Sequence, residues 1–89
     1  MQIGKVIGRV TATRKDERLV GTKLLIAQPI MLDGTLTGHP IIAVDTVGAG
    51  IGEQVIYVVG SMAARAMAYD GAPVDAAIVG IVDSLESEQ

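Results

Sequence analysis

Cysteine is absent from the 89 residues, and so are phenylalanine and tryptophan. Without thiols the chain forms neither disulfides nor thiolate metal sites. Tyr57 and Tyr69 are its only aromatic side chains, too few for the stacking platform of a single-strand nucleic-acid surface. Positive charge is short as well. Seven Lys and Arg stand against ten Asp and Glu, a net charge of −3, where a nucleic-acid binder carries a basic footprint. The single histidine, His39, cannot build a metal site alone. No apolar run is long enough to cross a bilayer, and the opening MQIGKVIGRV lacks the apolar stretch of a signal peptide.

What the chain has in excess is small aliphatic surface. Hydrophobic residues make up 49% of it, more than one small core readily absorbs. Ile, Val, Leu, Ala and Met must therefore fill the interior, which suits a narrow barrel. The remainder is expected to meet another subunit.

Five segments read as strands. Residues 2–13 alternate, with Val6, Val10 and Ala12 on one side and Lys5, Arg9, Thr11 and Thr13 on the other. Gly4 and Gly8 fall on the apolar side, where glycine lets a strand coil or another chain approach. A charged turn, 14–18, closes at Gly21. Residues 23–28, 41–45, 54–59 and 76–83 give the other four strands, with Pro29 and the Asp33-Gly34 turn between the second and third. Ser61 is placed to cap a short helix over 62–69, which Asp70 to Pro73 breaks. Ala63, Ala64 and Met67 are expected to pack that helix on the barrel end. The expected fold is all-β with one short helix, a five-stranded OB-like barrel over residues 1–84 followed by a polar tail, 85–89.

The fourth and fifth strands are apolar on both sides, Val55 to Val59 and Ala76 to Val79. A barrel wall buries one side only, so a neighbouring subunit is the expected cover of the other. Val55, Tyr57, Val59 and Ile78 are the interface candidates, with Arg65 as a polar tie between subunits.

Chemistry-bearing patterns are weak. Gly48-Ala49-Gly50-Ile51-Gly52 has the wrong spacing for a dinucleotide fingerprint, and a strand follows where a helix N-terminus is needed. It reads as a tight structural loop. Ser61, His39 and Asp45 contain the residue types of a triad, yet Ser61 lacks the second glycine of a nucleophile elbow. Asp45, Glu53, Asp75 and Asp83 sit at strand ends, where carboxylates satisfy backbone donors or pair with cations. No catalytic, cofactor or metal residue is expected.

One combination of residues is distinctive: Ala43-Val44-Asp45-Thr46-Val47-Gly48-Ala49-Gly50, Gly52-Glu53, Gly60-Ser61 with Ala64-Arg65, and the run Pro73 to Asp83. With Gly8, Val10, Thr13, Lys15 and Leu19 to Leu24, it resembles the EutN/CcmL family over residues 1–83. The resemblance implies a cyclic homopentamer at the vertices of a bacterial microcompartment shell in the bacterial cytoplasm. Hexameric shell proteins would be its partners, with no cofactor, nucleic acid or membrane. It also implies that Gly48, Ala49 and Gly50 crowd the five-fold axis around a narrow pore. Two other readings stand beside it: a soluble pentameric scaffold that never joins a shell, and a free-standing OB-like module for a small ligand or nucleic acid.

Overall fold

A computed structural model describes residues 1–13, 15–66 and 74–86, with the backbone alone at 62 and 64. Five strands form: β1 (Gln2–Val10), β2 (Lys23–Pro29), β3 (Ile41–Asp45), β4 (Gln54–Val59) and β5 (Ala76–Ile81). They close into a barrel in the order β1-β2-β3-β5-β4. All neighbours are antiparallel except β3 and β5, which run parallel. A parallel pair needs a long crossover, and here the chain makes β4 before it returns.

Closure depends on β1. Its first half pairs with β4, Gln2 opposite Tyr57 and Lys5 opposite Gln54, while it also pairs with β2 from Gly4 to Val10. To serve two neighbours the strand must bend, and its register on β2 slips between Val6 and Gly8. Gly4 is the point of closest approach. A Cβ there would lie 2.9 Å from the Gln28 carbonyl oxygen and 3.0 Å from the Tyr57 ring. The approaching chain that glycine admits is therefore the barrel's own β2 and β4.

The barrel core contains Val6, Leu25, Ala43, Ala49, Val55, Tyr57, Ala76 and Ile78. With no Phe or Trp, Tyr57 is the largest fully buried side chain. Its hydroxyl donates to Gln2 Oε1 at 2.8 Å, and burial pushes the phenol pKa up. A second cluster lies outside the barrel wall. Val44, Ala63 and Ala77 are buried there, with Leu24, Val58, Ala66, Val74 and Val79 packed against them. A 3-10 helix, Gly60–Ala66, brings Ala63 and Ala66 onto this outer face.

Those two clusters correct the interface expectation. Val55, Tyr57 and Ile78 are 0% exposed within one chain, so their side chains have no surface to offer a neighbour. The second apolar side of β4 and β5 is carried by Val58, Ala77 and Val79, and the chain's own 3-10 helix covers part of it. Val59 is different: at 46% exposed it remains available.

Element ends differ in smaller ways. β1 stops at Val10 rather than residue 13, and β5 at Ile81 rather than residue 83. Ser61 lies inside the 3-10 helix, which begins at Gly60, so it is not the cap. The turn after β1 includes a 3-10 turn, Glu17–Leu19, capped by Asp16, whose Oδ1 accepts from the Arg18 backbone N–H at 2.9 Å. Arg14, Ala64's side chain, Met67, Tyr69, the break at Asp70 to Pro73 and the last three tail residues lie outside the described residues.

Two glycine substitutions separate these constraints. Gly4→Ala should cost about 1–3 kcal/mol by overpacking, read as a lower urea midpoint at fixed protein concentration. Gly80→Ala meets only Ile56, no nearer than 3.6 Å, and should leave that midpoint nearly unchanged. Equal midpoints for the two variants would contradict the closure role of Gly4.

Candidate functional site

The glycine loop leaves the end of β3 and is built on one carboxylate. Asp45 has a side chain only 2% exposed. Its Oδ1 accepts from the backbone N–H groups of Val47 (3.0 Å) and Gly48 (3.1 Å), and its Oδ2 from Ala49 (2.9 Å). The β2–β3 register sets Lys23 opposite Asp45, with its ammonium 3.5 Å from Oδ2. The same ammonium donates to the Ala49 carbonyl oxygen. Gly48 turns the backbone with φ +81°, a conformation that disfavours any side chain.

The far side of the loop is tied down as firmly. Gly50 N–H donates to Glu53 Oε1 at 2.6 Å, and Glu53 N–H returns to the Gly50 carbonyl at 3.2 Å. Gly52 N–H reaches the Val6 carbonyl, and Val6 N–H reaches the Glu53 carbonyl. Thr46 Oγ1 donates to the Ile78 carbonyl at 2.7 Å. Successive backbone N–H groups converging on one point make an anion nest. In this chain the nest already holds an anion, the Asp45 carboxylate. The N–H groups that a dinucleotide phosphate would need are spent, which supports the structural reading of the loop. It also removes Asp45 from a triad, since its acceptors face the loop and Lys23.

The three residues expected at a symmetry axis do not share one environment. Gly48 is exposed and Gly50 half-buried. Ala49 is 0% exposed and packs into the barrel core, so its methyl cannot line an axis or a pore. Of the other candidates, His39, Ser61 and Arg65 are all exposed. Asp45 and Glu53 satisfy backbone donors as expected of strand-end carboxylates. Asp75 and Asp83 are exposed and have no side-chain partner among the described residues.

A second feature was not legible from the sequence pattern. Between β2 and β3 the chain makes a self-supporting arm, residues 31–40, all exposed. Met31 N–H donates to the Thr35 carbonyl, Thr37 N–H to the Pro29 carbonyl, and Ile30 bridges to Leu36. Asp33 Oδ1 accepts from both Thr35 N–H and Thr35 Oγ1 at the turn, which holds its carboxyl below the usual pKa. At its base, buried Gln28 donates to the Thr37 carbonyl at 2.9 Å. The arm presents Met31, Leu32 and Leu36 to solvent, Leu36 at 67% exposure. Beside it lies an apolar groove of about 480 Å³, lined in part by Met1, Ile3, Pro29, Ile30, Leu32 and Ile56.

Among the described residues no group of three or more His, Asp or Glu side chains could hold a metal, and no helix is long and apolar enough to cross a membrane.

Asp45→Ala should destabilise the fold by about 2–4 kcal/mol, because three backbone donors lose their acceptor and the Lys23 ammonium loses its counter-ion. Lys23→Met should cost less, since Asp45 keeps its three N–H donors. Urea midpoints read both, and an Asp45→Ala midpoint equal to the parent's would contradict the loop's dependence on this carboxylate.

Comparison with known proteins follows the same lines. The chain matches the family described as "Ethanolamine utilisation protein EutN/carboxysome" over residues 1–83. It is 47% identical over 87 residues to the bacterial microcompartment shell vertex protein GrpN of Rhodospirillum rubrum, covering 98% of each chain. It is 43% identical to the carboxysome shell vertex protein CcmL of Nostoc sp., covering 99% of this chain and 88% of that one. Among solved structures, the GrpN pentameric microcompartment shell protein of Rhodospirillum rubrum superposes with a TM-score of 0.91 at 45% identity, over 99% of this chain and all of that one. CcmL of Gloeobacter violaceus gives 0.92 at 38% identity, over 99% and 91%. A closed five-stranded barrel of this length, matched end to end at these identities, belongs to the EutN/CcmL family.

Proposed function

We propose that this chain is a structural subunit of a bacterial microcompartment shell, where five copies form the cyclic vertex that closes a polyhedral shell, and that it catalyses no reaction. The observation that carries the reading is the near-complete superposition on a pentameric shell protein at 45% identity. A flat sheet of six-fold units closes into a polyhedron only with five-fold points, so the function is geometric. Hexameric shell proteins are the partners this geometry requires, and the location is the shell inside the bacterial cytoplasm.

Two features of the single chain support assembly. The core reading leaves Met31, Leu32 and Leu36 on a hydrogen-bonded arm in water, and covering one such side chain fully is worth about 1.5–3 kcal/mol. Ordered, exposed, contiguous apolar surface is characteristic of an interaction site. The candidate residues that keep accessible surface are Val59 and Arg65 for the subunit interface, with Gly48 and Gly50 nearest the axis. No catalytic role is supported: Asp45 is committed to the loop, His39 rides on the exposed arm, and Ser61 lies within the 3-10 helix.

The function is tested by electron microscopy of hexameric shell proteins co-expressed with and without this chain. Closed polyhedra are expected only when it is present. Closed polyhedra in its absence, with no other vertex protein, would contradict the vertex role, and a soluble ring excluded from the shells would favour a scaffold. Native mass spectrometry of Leu36→Asp, Arg65→Ala and Gly50→Trp tests the three placements separately. Each is expected to raise the concentration at which the ring dissociates, about tenfold for Leu36→Asp. A variant whose ring persists as the parent's does removes its residue from the interface.

A further inference from the structure

Charge on this chain is sorted along the sequence. Six of the seven cations, Lys5, Arg9, Arg14, Lys15, Arg18 and Lys23, fall between positions 5 and 23, with only Asp16 and Glu17 among them. That stretch therefore carries +4. Everything after it holds Arg65 against eight carboxylates, or −7, and the two parts add to the chain's −3.

The fold sets part of this sorting on separate strands. β1 and β2 are neighbours in the barrel, and β5 is the strand that touches neither. Where β1 ends and β2 begins, a cleft of about 300 Å³ is lined by Arg9, Thr11, Lys15, Thr22 and Lys23, among others. Lys23 is occupied by Asp45 and Ala49. Arg18 is occupied by Asp16, whose Oδ2 accepts from its guanidinium at 2.9 Å and whose pKa is lowered to about 2, so that pair stays ionised through mild acid. Arg9 and Lys15 are exposed and have no ion-pair partner among the described residues.

Acids that follow β5 stand at the same end of the barrel. β1 and β5 are both antiparallel to β4, so their C-terminal ends, Val10 and Ile81, emerge at the same end of the barrel. Asp83 and Glu86 follow Ile81, are exposed, and have no side-chain partner among the described residues. Asp75 precedes β5 and lies at the other end.

We infer that the Arg9–Lys15 cleft of one copy receives the Asp83 and Glu86 carboxylates of the next copy, and that this charge match sets the head-to-tail direction of the ring. The inference rests on the ring reading above. A cyclic pentamer uses a heterologous interface, two different patches that complement each other on separate walls. An isologous dimer through either patch would set like charges face to face, cation against cation or acid against acid, and such juxtaposition suppresses the wrong association. Charge sorting thus both attracts the productive neighbour and rejects the two-fold alternative. Contacts of this kind at an interface rim speed encounter and weaken with salt.

The test uses the full chain and charge reversal at exposed positions. Arg9→Glu with Lys15→Glu makes one double variant, and Asp83→Lys with Glu86→Lys the other; the quadruple variant carries both. Circular dichroism checks that each barrel folds. Native mass spectrometry at ammonium acetate from 50 to 500 mM (on the order of a threefold change in Debye length) reads the concentration of half-dissociation. The parent ring is expected to loosen as salt rises. Each double variant should dissociate at about tenfold or more higher concentration at low salt, and the quadruple variant should regain most of the loss. A parent ring indifferent to salt, double variants that match the parent, or a quadruple variant that loses the sum of both effects would each overturn the inference alone. A parent chain that stays monomeric at low salt would overturn the ring reading together with it.

Discussion

In a closed five-stranded barrel every strand serves two neighbours, and the rest of this structure depends on how β1 does so. The strand bends between Val6 and Gly8, and at Gly4 its backbone comes so near β2 and the Tyr57 ring that a methyl group would clash. Closure brings Gln2 to Tyr57, gives the largest fully buried side chain among the described residues a partner for its hydroxyl, and sets Val6 where it can bond to both Glu53 and Gly52. The glycine loop is thereby fastened to β1 at one side and to Asp45 at the other. Barrel and loop form one hydrogen-bonded unit, with no buried side-chain polar atom left unpaired among the described residues.

A core of small aliphatic residues is adequate for this shape because the interior is narrow. It also explains where the apolar excess goes. Part fills the barrel, part lies under the 3-10 helix in a second cluster, and part stands in water on the arm between β2 and β3. The first two destinations make a stable protomer. The third is left uncovered within one chain. The loop that resembles a phosphate cradle is filled by its own carboxylate.

Much of the fold was legible because period-two alternation and turn residues are local signals. All five strands fall where the alternation and the Gly, Pro and Asp-Gly punctuation set them, with differences at the ends of β1, β2 and β5. The errors of substance came from distance. Residues 55–59 and 76–79 do read as apolar on both sides, but sequence does not say which side meets the core. Val55, Tyr57 and Ile78 turn inward, and the other side is partly covered by the 3-10 helix, which begins at Gly60, seventeen residues before Ala77. Lys23 and Asp45 meet only through the β2–β3 register, so no spacing rule reveals the pair. The arm was missed for a local reason: Met31, Leu32 and Leu36 flank a recognised turn without alternating, and a turn signal says nothing of what its flanks expose.

The account stands on the claim that one chain is an incomplete unit whose exposed surfaces are satisfied by four more copies. Light scattering coupled to size exclusion, run across a hundredfold dilution series, measures that directly. The account gives a species of about 46 kDa, five times the 9.2 kDa chain, that dissociates only at the dilute end. A monodisperse 9.2 kDa species at every concentration would contradict it.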